Sequence, residues 1–190
     1  MAEEPVRTER PRAWEVVGEE EQGDWEMFSV RQLRARSPVD GEEHVFNVAQ
    51  SPDGVAVIAL TDDGRLVMVE QYRNPLARVT LELPAGIVDP GERPEDAAAR
   101  ELREETGYAG EAAEILGALE LNPSWQRCRV HVALVRGARR AGPQDEDPAE
   151  DIRPCLLPLA ELDGRVRAGD VEAAVPLAAV ALWRSTGGAA

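Results

Sequence analysis

The segment from Pro94 to Gly107 constrains the fold more strongly than any other part of the chain. Pro94 and the two acids that follow it suit a first helical turn, where proline loses no hydrogen bond and negative charge meets the positive end of the helix dipole. A run of strong helix formers comes next, and Gly107 can adopt the left-handed conformation that ends a helix. The sequence therefore predicts one helix at this position.

This predicted helix has three carboxylates on one face. At 100° per residue, Glu101 and Glu104 are about 60° apart around the helix axis, and Glu101 and Glu105 are about 40° apart. Like charges at these spacings destabilise an isolated helix by roughly a few tenths of a kcal/mol, so the cluster needs a compensating cation. Hard oxygen ligands suit Mg²⁺ or Mn²⁺ better than Zn²⁺. The alternative is a solvated acidic face balanced by Arg100 and Arg103.

Period-two patterns and turn residues predict strands on both sides of this helix. The predicted strands are 14–17, 27–35 and 44–50 in an N-terminal antiparallel unit, 55–60 and 66–72 in a hairpin, and 114–121, 127–135 and 152–157 after the helix. A polar loop is predicted at 136–148, and helical stretches are predicted at 159–168 and 171–185.

The composition excludes several classes of function. The chain has 190 residues, 21 basic and 36 acidic, with a formal charge of -15, so nucleic acids and anionic membranes would repel it. Every basic residue is arginine, which excludes chemistry based on a Walker or Schiff-base lysine. Because no apolar run approaches the roughly 20 residues that span a bilayer and no secretion signal is recognisable, we expect a cytoplasmic protein. Cys128 and Cys155 are expected to be reduced and buried.

The spacing of residues 86–108 resembles the Nudix box. The pattern is Gly86, five residues, Glu92, seven residues, Arg100-Glu101-Leu102, one residue, Glu104-Glu105, one residue, Gly107 and an apolar position filled by Tyr108. Val69-Glu70-Gln71-Tyr72-Arg73 and Leu81-Glu82-Leu83-Pro84-Ala85-Gly86 are similar to the ADP-ribose pyrophosphatase branch of the Nudix hydrolases. Pro123 stands sixteen residues after Gly107, as a proline typically does in that branch.

The resemblance covers roughly residues 25–185 and implies an α+β Nudix fold. In this fold a mixed β-sheet is flanked by helices as an α/β/α sandwich, here with an N-terminal antiparallel β extension. We accordingly expect a disordered tail at 1–12, a dimer-forming β extension at 13–52 and a Nudix hydrolase domain at 53–190.

The resemblance also implies a metal site on the predicted helix. Glu101 and Glu105 would be the principal carboxylate ligands of Mg²⁺, for which Mn²⁺ can substitute, and the backbone carbonyl of Ala85 would be a third ligand. Glu104 would complete the acidic face and is a candidate catalytic residue. Arg100 is expected to anchor the box by pairing with Glu92 rather than to contact substrate.

Further site residues are expected outside the box. The resembling enzymes take a general base from a loop that matches residues 145–151, where Glu150 is the first choice and Glu146 or Asp147 the alternatives. An acidic loop without a catalytic member remains open. Arg73 is expected to bind a phosphate or ribose oxygen through its planar guanidinium. The remaining substrate-binding candidates are Pro123 and the aromatic residues Phe46, Trp25 and Trp14, which could stack on adenine.

These expectations lead to a hypothesis about function. The hypothesis is Mg²⁺-dependent hydrolysis of the pyrophosphate bond in a nucleoside diphosphate linked to another moiety, with ADP-ribose giving AMP and ribose 5-phosphate. The partners would be this small-molecule substrate and a second copy of the chain, with neither nucleic acid nor membrane. The alternatives are another nucleotide sugar such as GDP-mannose and a non-catalytic nucleotide-sugar-binding module.

Overall fold

A computed structural model describes residues 10–25, 27–145 and 151–188. Its strands are β1 (Glu15–Trp25), β2 (Phe28–Arg36), β3 (Glu43–Gln50), β4 (Gly54–Leu60), β5 (Arg65–Arg73), β6 (Arg78–Glu82), β7 (Ala85–Ile87), β8 (Tyr108–Ala109), β9 (Glu114–Glu120), β10 (Gln126–Arg127), β11 (Arg129–Val135), β12 (Arg139–Arg140) and β13 (Ile152–Pro158). Its helices are α1 (Pro94–Thr106), α2 (Leu162–Ala168) and α3 (Ala174–Ser185), with short 3₁₀ turns at Asn74–Leu76 and Leu159–Glu161.

The chain divides into two units. The first contains the described residues up to 51 together with 124–127, and the second contains 52–123 and the described residues from 128 onward. The boundary lies next to the one expected at 52. Residues 124–127 join the first unit because β10 pairs in parallel with β3, with Gln126 opposite Ala49, a long-range pairing that no local pattern could indicate.

The second unit is built on a mixed sheet in the order β13-β5-β4-β11-β9. Strands β4 and β11 pair in parallel, whereas β13 with β5, β5 with β4, and β11 with β9 are antiparallel. Two shorter strands extend it, since β6 pairs with β5 and β7 pairs with β4. The pairing of β7 brings Gly86 opposite Val55 in the centre of the sheet.

Helices cover both faces of this sheet, because successive side chains of a strand point to opposite sides. Val55, Val57 and Ala59 pack on one side against Ala97, Ala98 and Leu102 of α1. Ile58, Leu66 and Met68 pack on the other side against α2 and α3 through residues including Leu162, Ala179 and Trp183. This arrangement confirms the predicted α/β/α sandwich, with α1 alone on its face.

The first unit is an antiparallel sheet in the order β1-β2-β3, with β10 added beside β3. Strand β2 is paired on both sides, and the outer strand is β1, which among the described residues pairs only with β2. The structure describes residue 13, where this unit is predicted to start. Residues 1–9 of the predicted tail lie outside the described residues.

Strand β1 is longer than the segment 14–17 that its apolar residues predict. Its continuation is acidic and is supported by ion pairs across the sheet rather than by burial. Arg31 on β2 lies 2.6 Å from Glu19 and 3.5 Å from Glu21, and Arg36 lies 2.7 Å from Glu15. Opposite charges on paired strands stabilise the pairing, and a search for apolar alternation does not detect them.

Helix α1 has the bounds that the sequence predicts. It begins at Pro94 and ends at Gly107, whose φ of 70° lies in the left-handed region and whose N–H donates to the carbonyl of Arg103. Leu102 is fully buried against the sheet, which contributes roughly 2 kcal/mol. Cys128 and Cys155 are free thiols, but both are half-buried rather than buried as expected.

None of the helices in the described ranges is both long and apolar enough to traverse a bilayer.

Candidate active site

Gly86 is where strand β7 meets the acidic face of α1. A Cβ atom at this position would overlap the carboxylate of Glu101. The backbone of Gly86 does not lie in the left-handed region, so glycine provides space here rather than conformational freedom, and an added methyl group would displace the flexible end of the Glu101 side chain. The carboxylate of Glu101 therefore lies directly against the strand that also carries Ala85.

Arg100 lies at the centre of the acidic cluster. Its Nε and one terminal nitrogen each donate to Glu92 at 3.0 Å, and the same terminal nitrogen donates to the carbonyl of Ile87 at 2.8 Å. The other terminal nitrogen donates to Glu101 at 2.7 Å and to Glu104 at 3.1 Å. The prediction that Arg100 pairs with Glu92 agrees with this geometry, and the guanidinium also supplies the cation that the helix requires.

The charges of this network stabilise one another. The hydrogen bonds that Arg100 donates to Glu92, and then to Glu101, raise the pKa of Arg100 above its usual value although partial burial opposes the shift. The hydrogen bond from Arg100, helped by the backbone N–H of Asp89, lowers the pKa of Glu92. Both groups are held in their charged forms, so the loop that carries Glu92 is fastened to α1 by a charge-assisted bidentate pair.

Glu105 points inward from the last turn of α1 and is 5% exposed. Its Oε2 accepts a hydrogen bond of 3.0 Å from the backbone N–H of Ala85. The structure thus brings three predicted metal-site residues, Ala85, Glu101 and Glu105, to one junction of strand and helix.

The donor set at this junction fits a hard divalent cation. It consists of carboxylate oxygens and strand backbone, which is the chemistry that Mg²⁺ and Mn²⁺ prefer. Across residues 10–25, 27–145 and 151–188, no group of three or more His, Cys, Asp or Glu side chains is gathered into a ready metal cluster. The carboxylates of Glu92, Glu101 and Glu104 converge instead on the Arg100 guanidinium.

Arg73 lies at the end of β5 and is fixed by a neighbour on β6. Its Nε and a terminal nitrogen each donate to Glu82 at 2.9 Å, while the hydroxyl of Thr80 donates to the same carboxylate at 2.6 Å. Burial acts to raise the pKa of Glu82, but the hydrogen bonds from Arg73 and Thr80 outweigh it and lower the pKa. Arg73 is therefore held in one orientation.

A cleft of about 160 Å³ joins this pair to the backbone of Ala85 and Gly86. Arg73, Glu82, Ala85 and Gly86 form its polar side. Its other walls are the apolar side chains of Val55, Leu83, Val130, Val175 and Pro176, with Gly54. One cavity therefore offers a cation and an apolar surface beside the backbone of Ala85 and Gly86.

The aromatic candidates all belong to the first unit. Trp14 packs edge-on against Phe46, with ring centroids 5.5 Å apart, and Trp25 stacks on Phe28 at 5.4 Å. All three candidates remain at least 40% exposed. Pro123 is exposed in the connection between β9 and β10. Their roles toward a substrate remain predictions.

The three candidates for the general base, Glu146, Asp147 and Glu150, lie outside the described residues. The chain on either side of them is described. The backbone N–H of Asp145 donates to the carbonyl of Glu104 at 2.9 Å. The side-chain amide of Gln144 donates to the carbonyls of Glu105 at 2.7 Å and Ile152 at 2.9 Å.

Two site residues had no role in the sequence analysis. Glu82 was part of a recognised motif, but its contact with Arg73 was not predicted. The available signal was the polar pair Thr80 and Glu82. Residues two apart in a strand lie on the same face, so these two side chains must be neighbours. Gln144 had no comparable signal, because both of its partners are backbone carbonyls that the fold brings together.

Comparisons with known proteins agree with this fold and site. A family model described as the NUDIX domain matches residues 50–177. The chain is 33% identical over 169 residues to the ADP-ribose pyrophosphatase of Mycobacterium tuberculosis, covering 88% of this chain and 81% of that protein. It is 41% identical over 95 residues to the ADP-ribose pyrophosphatase of Bacillus subtilis, covering 50% of this chain and about half, 51%, of that relative.

A crystal structure of an ADP compounds hydrolase has the same fold, with a TM-score of 0.81 and 22% identity over 94% of this chain and 96% of that one. Fold and site together define a NUDIX domain that carries a loop–helix carboxylate motif on one face of a mixed sheet. The chain belongs to the Nudix family, and its relatives include ADP-ribose pyrophosphatases.

The contact between Gly86 and Glu101 generates a direct test. In Gly86→Ala, the added methyl group should displace the Glu101 carboxylate and lower turnover by about tenfold or more, as losses around metal ligands do. Thermal unfolding should show a retained fold. Gly164→Ala is the matched control, since its Cβ would enter open space. Wild-type turnover in Gly86→Ala would contradict the assignment of Glu101 to the site.

Proposed function

We propose that this protein hydrolyses the pyrophosphate bond of ADP-ribose to give AMP and ribose 5-phosphate, with Mg²⁺ as its cofactor and Mn²⁺ as a substitute. The observation that carries this proposal is the intact acidic face of α1 lying against Ala85 and Gly86, beside a cleft that contains Arg73. The identity to two ADP-ribose pyrophosphatases supports the choice of substrate.

Glu101, Glu105 and the backbone of Ala85 would hold the metal in this proposal, with Glu104 completing the face. A bound Mg²⁺ supplies charge neutralisation for the diphosphate and lowers the pKa of an attacking water. The protein's own contribution is preorganisation: Gly86 leaves room for one carboxylate, Ala85 orients another, and Arg100 holds Glu101 and Glu104 together by hydrogen bonds.

Arg73 would bind a phosphate or ribose oxygen of the substrate. The bidentate bond to Glu82 fixes the plane of the guanidinium, which reduces the side-chain entropy lost when an anion binds. The apolar walls of the same cleft suit the non-ionic surface of a sugar moiety.

The general base would come from residues 145–151, with Glu150 preferred and Glu146 or Asp147 as alternatives. The N–H of Asp145 donates to the carbonyl of Glu104 in the last turn of α1. The side chain of Gln144 donates both to the carbonyl of Glu105 in that turn and to the carbonyl of Ile152. These bonds of the flanking residues to the end of α1 support a base from this segment.

A second copy of the chain is the proposed partner. Paired residues share a face of the first unit's sheet, which places Val16, Ala35 and His44 together and Leu33 with Phe46 on the same side. Val16 is 58% exposed and Phe46 is 40% exposed. An exposed apolar sheet face of this kind suits burial in a homodimer, where its aromatic residues could also stack on adenine.

The substrate proposal is tested with a panel of ADP-ribose, GDP-mannose, UDP-glucose and NADH at fixed Mg²⁺. We expect kcat/KM to be highest for ADP-ribose, and Glu105→Gln to lower turnover by orders of magnitude because one ligand charge is lost. A higher value for GDP-mannose would favour the other nucleotide sugar. Binding of ADP-ribose without hydrolysis would favour the non-catalytic module and contradict the proposed reaction.

The base is identified by separating turnover from binding. Removing a general base should lower kcat by roughly 10²- to 10⁴-fold with little change in KM or metal affinity, because its role is confined to the transition state. Glu150→Gln is the first variant, with Glu146→Gln and Asp147→Asn in parallel. If all three keep kcat within about threefold of the parent, the base is not in this loop and Glu104 becomes the candidate.

The dimer is tested by sedimentation at micromolar concentration. We expect twice the chain mass of 20.7 kDa. Val16→Glu should shift the protein toward the monomer, because it places a charge on the apolar sheet face. Val39→Glu is the matched control, since Val39 is 70% exposed in the turn between β2 and β3. A monomeric wild-type protein would contradict the proposed partner and the stacking of aromatics across an interface.

A further inference from the structure

The last turn of α1 carries two residues of the acidic face, Glu104 and Glu105, where a helix has carbonyls without intrahelical partners. In this protein those carbonyls are satisfied by other parts of the chain. The carbonyl of Arg103 accepts from the N–H of Gly107, that of Glu104 accepts from the N–H of Asp145, and that of Glu105 accepts from the side chain of Gln144.

Gln144 differs from the other two donors because its amide bridges two elements. The Nε2 atom donates to Glu105 on α1 at 2.7 Å and to Ile152 at the start of β13 at 2.9 Å. Strand β13 pairs with β5 along its whole length, from Ile152 opposite Gln71 to Pro158 opposite Arg65. One side chain therefore links the end of the helix to the central sheet.

We propose that Gln144 is a positioning residue for the metal site. Its two hydrogen bonds hold the last turn of α1 against the sheet, so that the Glu105 carboxylate stays in reach of Ala85 and the Glu104 carboxylate stays beside Glu101. This inference rests on the proposed metal-dependent function, and it assigns Gln144 no contact with substrate or metal.

The physical need for such a link lies in the position of the ligands. Helix ends fray over one or two residues, and α1 has 13 residues with two of its acids in the final four. The Glu105 carboxylate is buried on β7 at one side of the helix. The Glu105 carbonyl is fixed by Gln144, so both the backbone and the side chain of this residue are held.

Mn²⁺ binding without substrate, followed by electron paramagnetic resonance, tests the inference apart from catalysis. Gln144→Met keeps a similar length and removes both N–H donors. It should raise the dissociation constant for Mn²⁺ by about 10-fold or more, the range seen when groups that orient metal ligands are removed. The kcat at saturating metal should recover to within about threefold of wild type, with KM for the nucleotide little changed.

Two further variants separate positioning from general stability. Gln144→Asn keeps the amide but is one methylene shorter, so it cannot reach both carbonyls and should weaken Mn²⁺ binding in the same direction. Gln50→Met is the matched control, because it makes the same substitution at an exposed glutamine of the first unit. Its Mn²⁺ affinity should stay within about threefold of wild type.

A purely structural role would lower the thermal midpoint in EDTA and leave Mn²⁺ affinity unchanged, which would overturn the inference. Failure of both Gln144 variants to fold would overturn it as well, by assigning the two bonds to folding. A wild-type protein that binds no Mn²⁺ would refute the metal-dependent function itself. If the wild-type protein binds Mn²⁺ and Gln144→Met binds it with the same dissociation constant, only the role of Gln144 is refuted.

Discussion

The site depends on the interaction between one guanidinium and three carboxylates. Helix α1 places glutamates where they repel one another, and Arg100 compensates by donating to Glu92, Glu101 and Glu104 at once. The same side chain donates to the carbonyl of Ile87, which ties the loop before the helix to the helix itself. An isolated surface ion pair contributes little, but this network of mutually charged, partly buried groups fixes the acidic face.

The rest of the fold holds that face from two sides. On one side, β7 enters the sheet beside β4, and the missing side chain of Gly86 leaves room for Glu101 while the N–H of Ala85 binds Glu105. On the other side, residues 144 and 145 satisfy the carbonyls at the end of the helix. The cleft with Arg73 and Glu82 opens next to the same strand. The sheet of the second unit is therefore the rigid reference for the acidic face of α1 and for Arg73.

Local chemistry made α1 and its acidic face predictable, because Pro94, Gly107 and the glutamate spacing each act within one or two turns. The sandwich was implied by the resemblance of residues 86–108 to the Nudix box, and the apolar run of β4 is continuous because both of its faces are covered. Strand β1 was underestimated because charge pairs with Arg31 and Arg36 support it, and the short strands β6 and β7 have no pattern of their own. Residue spacing does not encode tertiary contacts. It therefore could not predict the hydrogen bonds of Gln144 or the bidentate ion pair between Arg73 and Glu82.

The central claim is that the junction of β7 and α1 is a divalent metal site. Anomalous diffraction from crystals containing Mn²⁺ tests it most directly. The account predicts at least one anomalous peak within ligand distance of carboxylate oxygens of Glu101 and Glu105, roughly 2.0–2.3 Å for a hard cation of this size, with the carbonyl of Ala85 beside it. Density for Mn²⁺ only elsewhere, with Arg100 still bound to Glu101 and Glu104 at saturating metal, would contradict it.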